Sequence, residues 1–313
     1  MKPVRFNLGI ILGAALAGVM YLGAWGSEAE APKEALVVLS REAEPFRKCE
    51  KAVAARLKES GWTVRTVVID DKGRVGGGEA ADRVVAVGTE AATWAKSRAS
   101  EGTSVVFCMV ADAEGAGLTA QPNISGVLSE VPAAAQMSLI REALPKAGRV
   151  GILYKEGSAR GERWLAAMRD EALKVGLSVD AQRVESKEKL GDALSLLLKR
   201  RVDVLWTMPD GGLYDASTLK AVLRATLEEG VPVFGFSTPV VRAGALVGVG
   251  IAPEAQGAQA GALMIDLAGR KGPAAEIVDP AFEVGVNLVV AERLQLSVPG
   301  GVVEKATHVF KGD

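Results

Sequence analysis

A single histidine in 313 residues leaves little room for histidine-based acid–base chemistry. That residue, His308, stands near the end of the sequence, and with only Cys49 and Cys108 for thiols no zinc-type spacing of Cys and His exists. Gly76-Gly77-Gly78 lacks the G-K-S/T ending of a phosphate loop, and no strand pattern runs into it. Gly248-Val249-Gly250 has Pro253 where a dinucleotide fingerprint needs its third glycine. Asp70-Asp71 reads as a solvated strand end, since neighbours on a strand point to opposite faces. Lysine and arginine total 37 against 38 acids with no basic block, so no field favours nucleic acid. Aromatics make up only 5% of the chain. No cofactor, metal or catalytic constellation is expected, and the chain reads as a non-enzyme.

What the sequence does contain is apolar material, 49% of residues and rich in Ala and Val, enough for two packed cores. Lys2 and Arg5 precede an apolar run over 8–25, and Ala29-Glu30-Ala31 offers a small-residue cleavage site. Residues 1–31 therefore read as a secretory leader, with an uncleaved membrane anchor as the competing reading. An exported chain could oxidise its thiols. Cys49 in a helix and Cys108 in a strand are nevertheless expected to be buried free thiols, which pack like small hydrophobes.

From residue 35 onward, short β-branched runs alternate with amphipathic helices. Runs at 35–39, 62–69, 84–87 and 104–110 form one series; those at 149–154, 177–184, 202–207 and 231–236 form another. Helices fall between them, several opened by Pro and closed by Gly, as at Pro45 and Gly61. This alternation calls for parallel sheets with helices on both faces. The expected fold is α/β, with two doubly wound parallel-sheet lobes joined by three hinge crossings. The crossings are placed at 118–131, 237–248 and 276–287, with the bending near Gly126, Gly244 and Gly285. Lobe 1 is then 35–122 plus 245–276, and lobe 2 is 123–244 plus 277–313. The stretch 231–251 reads as two adjacent strands joined by the polar turn Ser237-Thr238-Pro239.

Open α/β sheets bind ligands at the carboxyl ends of their strands. In the first lobe those ends carry Ser40, Arg41, Gly88, Thr89, Glu90 and Asp112. In the second they carry Tyr154, Asp210, Gly211, Phe236 and Ser237. Any one of these residue types is ordinary in a cap or turn; together they converge on one cleft. Asp210 is expected to meet the ligand as an acceptor for an amine or hydroxyl. Tyr154 and Phe236 would supply an aromatic wall, with Tyr214 opening a helix beside it. Trp62, Trp164 and Trp206 read as core residues, and Trp94 fits either role.

Several segments, in their order and spacing, also carry a family likeness. They are Val87-Gly88-Thr89, Asn123-Ile124-Ser125-Gly126-Val127, Leu144-Pro145-Lys146-Ala147, Arg149-Val150-Gly151-Ile152-Leu153-Tyr154, Pro209-Asp210, Val231-Pro232-Val233-Phe234 and Gly244-Ala245-Leu246. Over 36–299 the chain resembles the tryptophan/tyrosine-type substrate-binding proteins of ABC transporters, a branch of the type I periplasmic binding proteins. The resemblance implies a two-lobed extracytoplasmic protein that delivers a small molecule, amino-acid-like or aromatic, to an ABC permease, and a monomer is expected; the alternatives are a membrane-tethered sensory ectodomain and, behind it, an enzyme on the same scaffold. Two departures stand out: Gly211 and Gly212 follow Asp210 where the family often has Asn, and Asp112 precedes Ala113 rather than Pro.

Overall fold

The computed structural model describes residues 33–76, 81–100, 102–270 and 275–312, so the expected leader and the Gly77-Gly78 pair lie outside the described residues. The body from Lys33 onward is one compact unit holding two sheets, which the chain visits in turn.

The first sheet begins with β1 (Glu34–Leu39), α1 (Glu44–Glu59), β2 (Thr63–Val68), β3 (Arg83–Val87), α2 (Thr89–Arg98), β4 (Ser104–Cys108) and β5 (Ile124–Val127). Both faces of β1 are buried: Ala35, Val37 and Leu39 pack under α1, while Leu36 and Val38 join the core under α2. A strand covered on both faces reads as a continuous apolar run, which is why 35–39 shows no alternation. In α1, Phe46, Cys49, Val53 and Leu57 recur at helical spacing and form the buried face. Pro45 sits in its first turn, and Gly61, at φ 81°, takes the left-handed position just beyond its end.

The chain then builds the second sheet with α3 (Ala133–Ala143), β6 (Arg149–Lys155), α4 (Ala159–Lys174), β7 (Ser178–Val184), α5 (Leu190–Leu198), β8 (Val204–Trp206), α6 (Ala216–Glu228), β9 (Val233–Gly235), α7 (Thr238–Ala243) and β10 (Val247–Gly250). It returns to the first lobe for α8 (Pro253–Gly269) and β11 (Ile277–Val278), and ends in the second with β12 (Glu283–Asn287), α9 (Leu288–Arg293), α10 (Gly300–Lys305) and β13 (His308–Phe310). The strand orders are β11-β5-β4-β3-β1-β2 and β13-β12-β10-β9-β8-β6-β7. All pairs are parallel except β10 with β12. Two mainly parallel sheets with helices on both faces match the expected architecture.

Three links join the lobes, at 128–132, 251–252 and 279–282, and two of them differ from expectation. The stretch 123–129 is not an open link: β5 is a fully buried strand between β4 and β11. The stretch 237–248 does not cross either, because β9 and β10 are neighbours in the second sheet. Between them Ser237 caps α7 by accepting from the Val240 N–H at 3.3 Å, so the presumed turn is a helix start. The sheets accordingly divide the chain after β5 and after β10, later than the expected boundaries at 122 and 244. The three proposed hinge glycines also have other work. A Cβ on Gly126 would fall 2.4 Å from the Phe107 ring, Gly244 ends α7 at φ 140°, and Gly285 lies in β12 against Val241.

Candidate functional site

Between the lobes, at the carboxyl ends of β4, β8, β9 and β10, lies a cavity of about 330 Å³. The first lobe contributes Met109 and Ala111 beyond β4 and Gln256 from α8. The link 128–132 contributes Ser129, Glu130 and Val131, and the second lobe supplies the remaining walls. Its size falls within the range of small-molecule sites.

Two tryptophans stand in the cavity's apolar lining. Trp206, the last residue of β8, and Trp164, on α4, have ring centroids 5.7 Å apart and planes inclined by 31°. Each indole N–H is fixed: Trp206 Nε1 donates to Gln136 Oε1 at 2.8 Å, and Trp164 Nε1 donates to Glu130 Oε1 at 2.9 Å. Gln136 in turn donates to the Val131 carbonyl at 2.8 Å. Such bonds hold both rings in one orientation, so the aromatic wall is preformed.

Beside that wall sits an ion pair. Arg160 Nε donates to the same Glu130 Oε1 at 2.8 Å, and its Nη1 donates to the Pro209 carbonyl at 2.8 Å. Both side chains are substantially buried, at 16% exposure for Arg160 and 27% for Glu130. Opposite them, Gln256 is fully buried and ties the first lobe to the link. Its Oε1 accepts from Met109 N–H at 2.8 Å, and its Nε2 donates to Leu128 O at 2.6 Å. The first of these bonds holds Met109 in a left-handed conformation, φ 57°, at the cavity edge.

The residues expected at the site are distributed unevenly. Phe236 and Ser237 line the cavity. Asp112 stands beside it and crosses the lobes: its Oδ1 accepts from Arg163 Nη2 on α4 at 2.7 Å. This carboxylate also pushes the Arg163 guanidinium above its usual pKa. Ser40, Gly88, Thr89 and Glu90 cluster at the ends of β1 and β3 but do not line the cavity. Ser40 Oγ accepts from Ala91 N–H at 2.9 Å and so serves the start of α2. A Cβ on Gly88 would come within 2.4 Å of that oxygen. Arg41 lies over the Phe46 ring at 5.2 Å. Tyr154 packs against the second lobe's core.

Asp210, the residue expected to meet the ligand, instead holds its own turn, its Oδ1 accepting from Gly212 N–H at 2.7 Å. Gly211 is exposed in that turn. Tyr214 precedes α6, whose cap is Asp215, and is packed 6.1 Å from the Phe236 ring. Burial raises the pKa of its hydroxyl, with Asp210 adding to the effect. Trp94 lies in the first lobe's core. Sequence reasoning missed Glu130, Arg160, Trp164, Trp206 and Gln256. Of these, only Trp206, at a strand's carboxyl end, carried a positional signal.

The family model described as ABC transporter substrate binding protein matches residues 76–310. A tyrosine-binding protein of Clostridioides difficile (strain R20291) is 25% identical over 191 residues, 59% of this chain and 54% of its own length. The chain thus spans about half the length of that curated relative. Among solved structures, the ligand-free, open form of a substrate-binding protein with adhesive properties from Clostridium difficile gives a TM-score of 0.72 at 19% identity, covering 90% of this chain and 100% of that one. The ABC domain from Streptococcus pneumonia in complex with L-Trp gives 0.65 at 20% identity, with 90% and 100% covered. These two likenesses establish the fold as that of the type I periplasmic binding proteins.

Proposed function

The chain belongs to the ABC transporter substrate binding protein family, and on that footing we propose that it captures an aromatic amino acid between its lobes and delivers it to an ABC permease. The observation that carries this reading is the tryptophan pair set beside the Glu130–Arg160 pair. A flat ring packs against the indoles, while a zwitterion presents an ammonium to Glu130 and a carboxylate to Arg160. Tyrosine and L-Trp, the ligands named for two similar proteins, belong to the same class. Delivery to a permease implies an extracytoplasmic protein, expected to act as a monomer, in keeping with the leader read at the N-terminus. Among the described residues no helix is long and apolar enough to cross a membrane.

Calorimetry with L-tryptophan, L-tyrosine, indole and L-leucine tests the reading. Both aromatic amino acids should bind at least about tenfold more tightly than indole or leucine, a margin of 1.4 kcal/mol. Equal affinity for leucine would remove the aromatic wall from the argument, and equal affinity for indole would remove the ion pair.

Closure is the second expectation. Arg163 bridges from α4 to Asp112 and, at 3.4 Å, to Glu114 in the first lobe. A pair this exposed is worth roughly 0–1 kcal/mol. Arg163→Ala should therefore weaken ligand binding no more than about fivefold while enlarging the ligand-free radius of gyration in small-angle scattering. Unchanged scattering with and without ligand, in both proteins, would mean the lobes do not close on it.

A further inference from the structure

The chain's two cysteines are 59 positions apart, yet their Sγ atoms meet at 3.5 Å. Both are fully buried between α1 and the first sheet, among Phe46, Val53, Val87 and Met264. Cys108 ends β4, immediately before Met109 at the cavity edge. Cys49 lies under α8, where Gly257 packs so closely that a Cβ would come 2.2 Å from the Cys49 carbonyl oxygen. Bringing the sulfurs to a bond length near 2.05 Å needs an approach of about 1.5 Å.

We propose that Cys49 and Cys108 form a disulfide, made while the chain folds rather than afterwards. Its occurrence in the living cell rests on the extracytoplasmic reading above, because exported compartments are the oxidising ones. The oxidant is an external disulfide, carried by a small thiol or a dithiol protein. One cysteine thiolate attacks a sulfur of that disulfide and expels one external thiolate. The second cysteine thiolate then attacks the bound cysteine sulfur and expels the other. The protein loses two protons and two electrons, and the oxidant becomes two thiols.

Timing follows from the packing. Once α8 has docked, no oxidant reaches either sulfur. The contact with Cys49, together with burial, also holds the Cys108 thiol well above the usual range, so the attacking thiolate is scarce. Before α1 and α8 have packed on the sheet, both sulfurs are open to solvent.

The test refolds the chain from denaturant with oxidised glutathione, quenches with an alkylating agent, and weighs the protein after unfolding. The expected result is a mass two hydrogens below the reduced form, with no alkylated thiol. Oxidised protein should melt about 10 °C above reduced protein, since the bond removes loop entropy from the unfolded chain. The double variant Cys49→Ser, Cys108→Ser should melt at one temperature with or without reductant. Reduced protein folded first should oxidise at least tenfold more slowly than protein refolded with the oxidant.

Two alkylated thiols, or glutathione on each cysteine, in correctly refolded protein would overturn the bond. Equal oxidation rates for folded and unfolded starting material would overturn its timing. A reduced pair in protein from a host's exported fraction would overturn the bond in the cell, whereas a reduced pair in protein found only in the cytoplasm, alongside ready bond formation in vitro, would count against the extracytoplasmic reading instead.

Discussion

Arg160→Ala is expected to weaken binding of an aromatic amino acid by about 30-fold or more. Arg160 is held by two hydrogen bonds, to Glu130 Oε1 and to the Pro209 carbonyl, and faces the cavity beside Trp164. Removing it takes away the cation proposed to meet the ligand carboxylate. It also leaves the largely buried Glu130 carboxylate with only the Trp164 N–H as a partner from α4. Losing one member of a buried charge pair costs on the order of 2–5 kcal/mol, or about 30-fold to several thousand-fold at 1.4 kcal/mol per tenfold. Asp210→Ala provides the contrast. Its carboxylate serves the Gly212 N–H rather than the cavity, so affinity should stay within about threefold, below 0.7 kcal/mol. Calorimetry on both variants decides the matter: equal losses would move the binding site toward the turn between β8 and α6.

The second large effect falls on stability. Trp206 is 2% exposed, packs on Trp164, and donates to Gln136. Trp206→Ala should cost about 3–5 kcal/mol through lost burial and the space left behind. Trp206→Phe keeps most of the ring but leaves the buried Gln136 Oε1 without its indole donor, for about 1–3 kcal/mol. Urea unfolding of both variants, followed by tryptophan-independent circular dichroism, measures the order. A phenylalanine variant as unstable as the alanine variant would mean that the hydrogen bond, not the packing, holds this end of β8.

The strand–helix alternation was legible because fully buried parallel strands show as apolar runs, as 35–39 does in β1. Elements that are short and interrupted by glycine were not. Ile124-Ser125-Gly126-Val127 reads as a link, yet it is a strand whose glycine makes room for the Phe107 ring. Ser237-Thr238-Pro239 reads as a turn because cap residues and turn residues are the same types; only the following N–H groups distinguish them. The site divided along similar lines. Phe236 and Ser237 follow from the strand-end rule. Trp206 obeys that rule too but also reads as core, and it is both: buried from water, and a wall of the cavity. Glu130 and Arg160 are 30 positions apart in a link and a first helical turn, and no local pattern announces that they meet.

The return of α8 to the first lobe carries a consequence for the order in which the molecule is made. α8 closes over α1, with Gly257 against Cys49 and Ala52, and Gly261 against Val53 and Arg56. The apolar underside of the first sheet, including Val37, Val85 and Val106, shares its core with Ala260 and Met264 of that late helix. A ribosome or export channel releasing the chain from its N-terminal end therefore presents strands β1 to β5 long before their cover arrives. The first lobe must wait, unsealed, while the whole of β6 to β10 emerges, and the second lobe has its five parallel strands in hand first. A chain stopped before Pro253 would hold five of the seven second-lobe strands beside an open apolar face, the kind of surface that chaperones and proteases inspect.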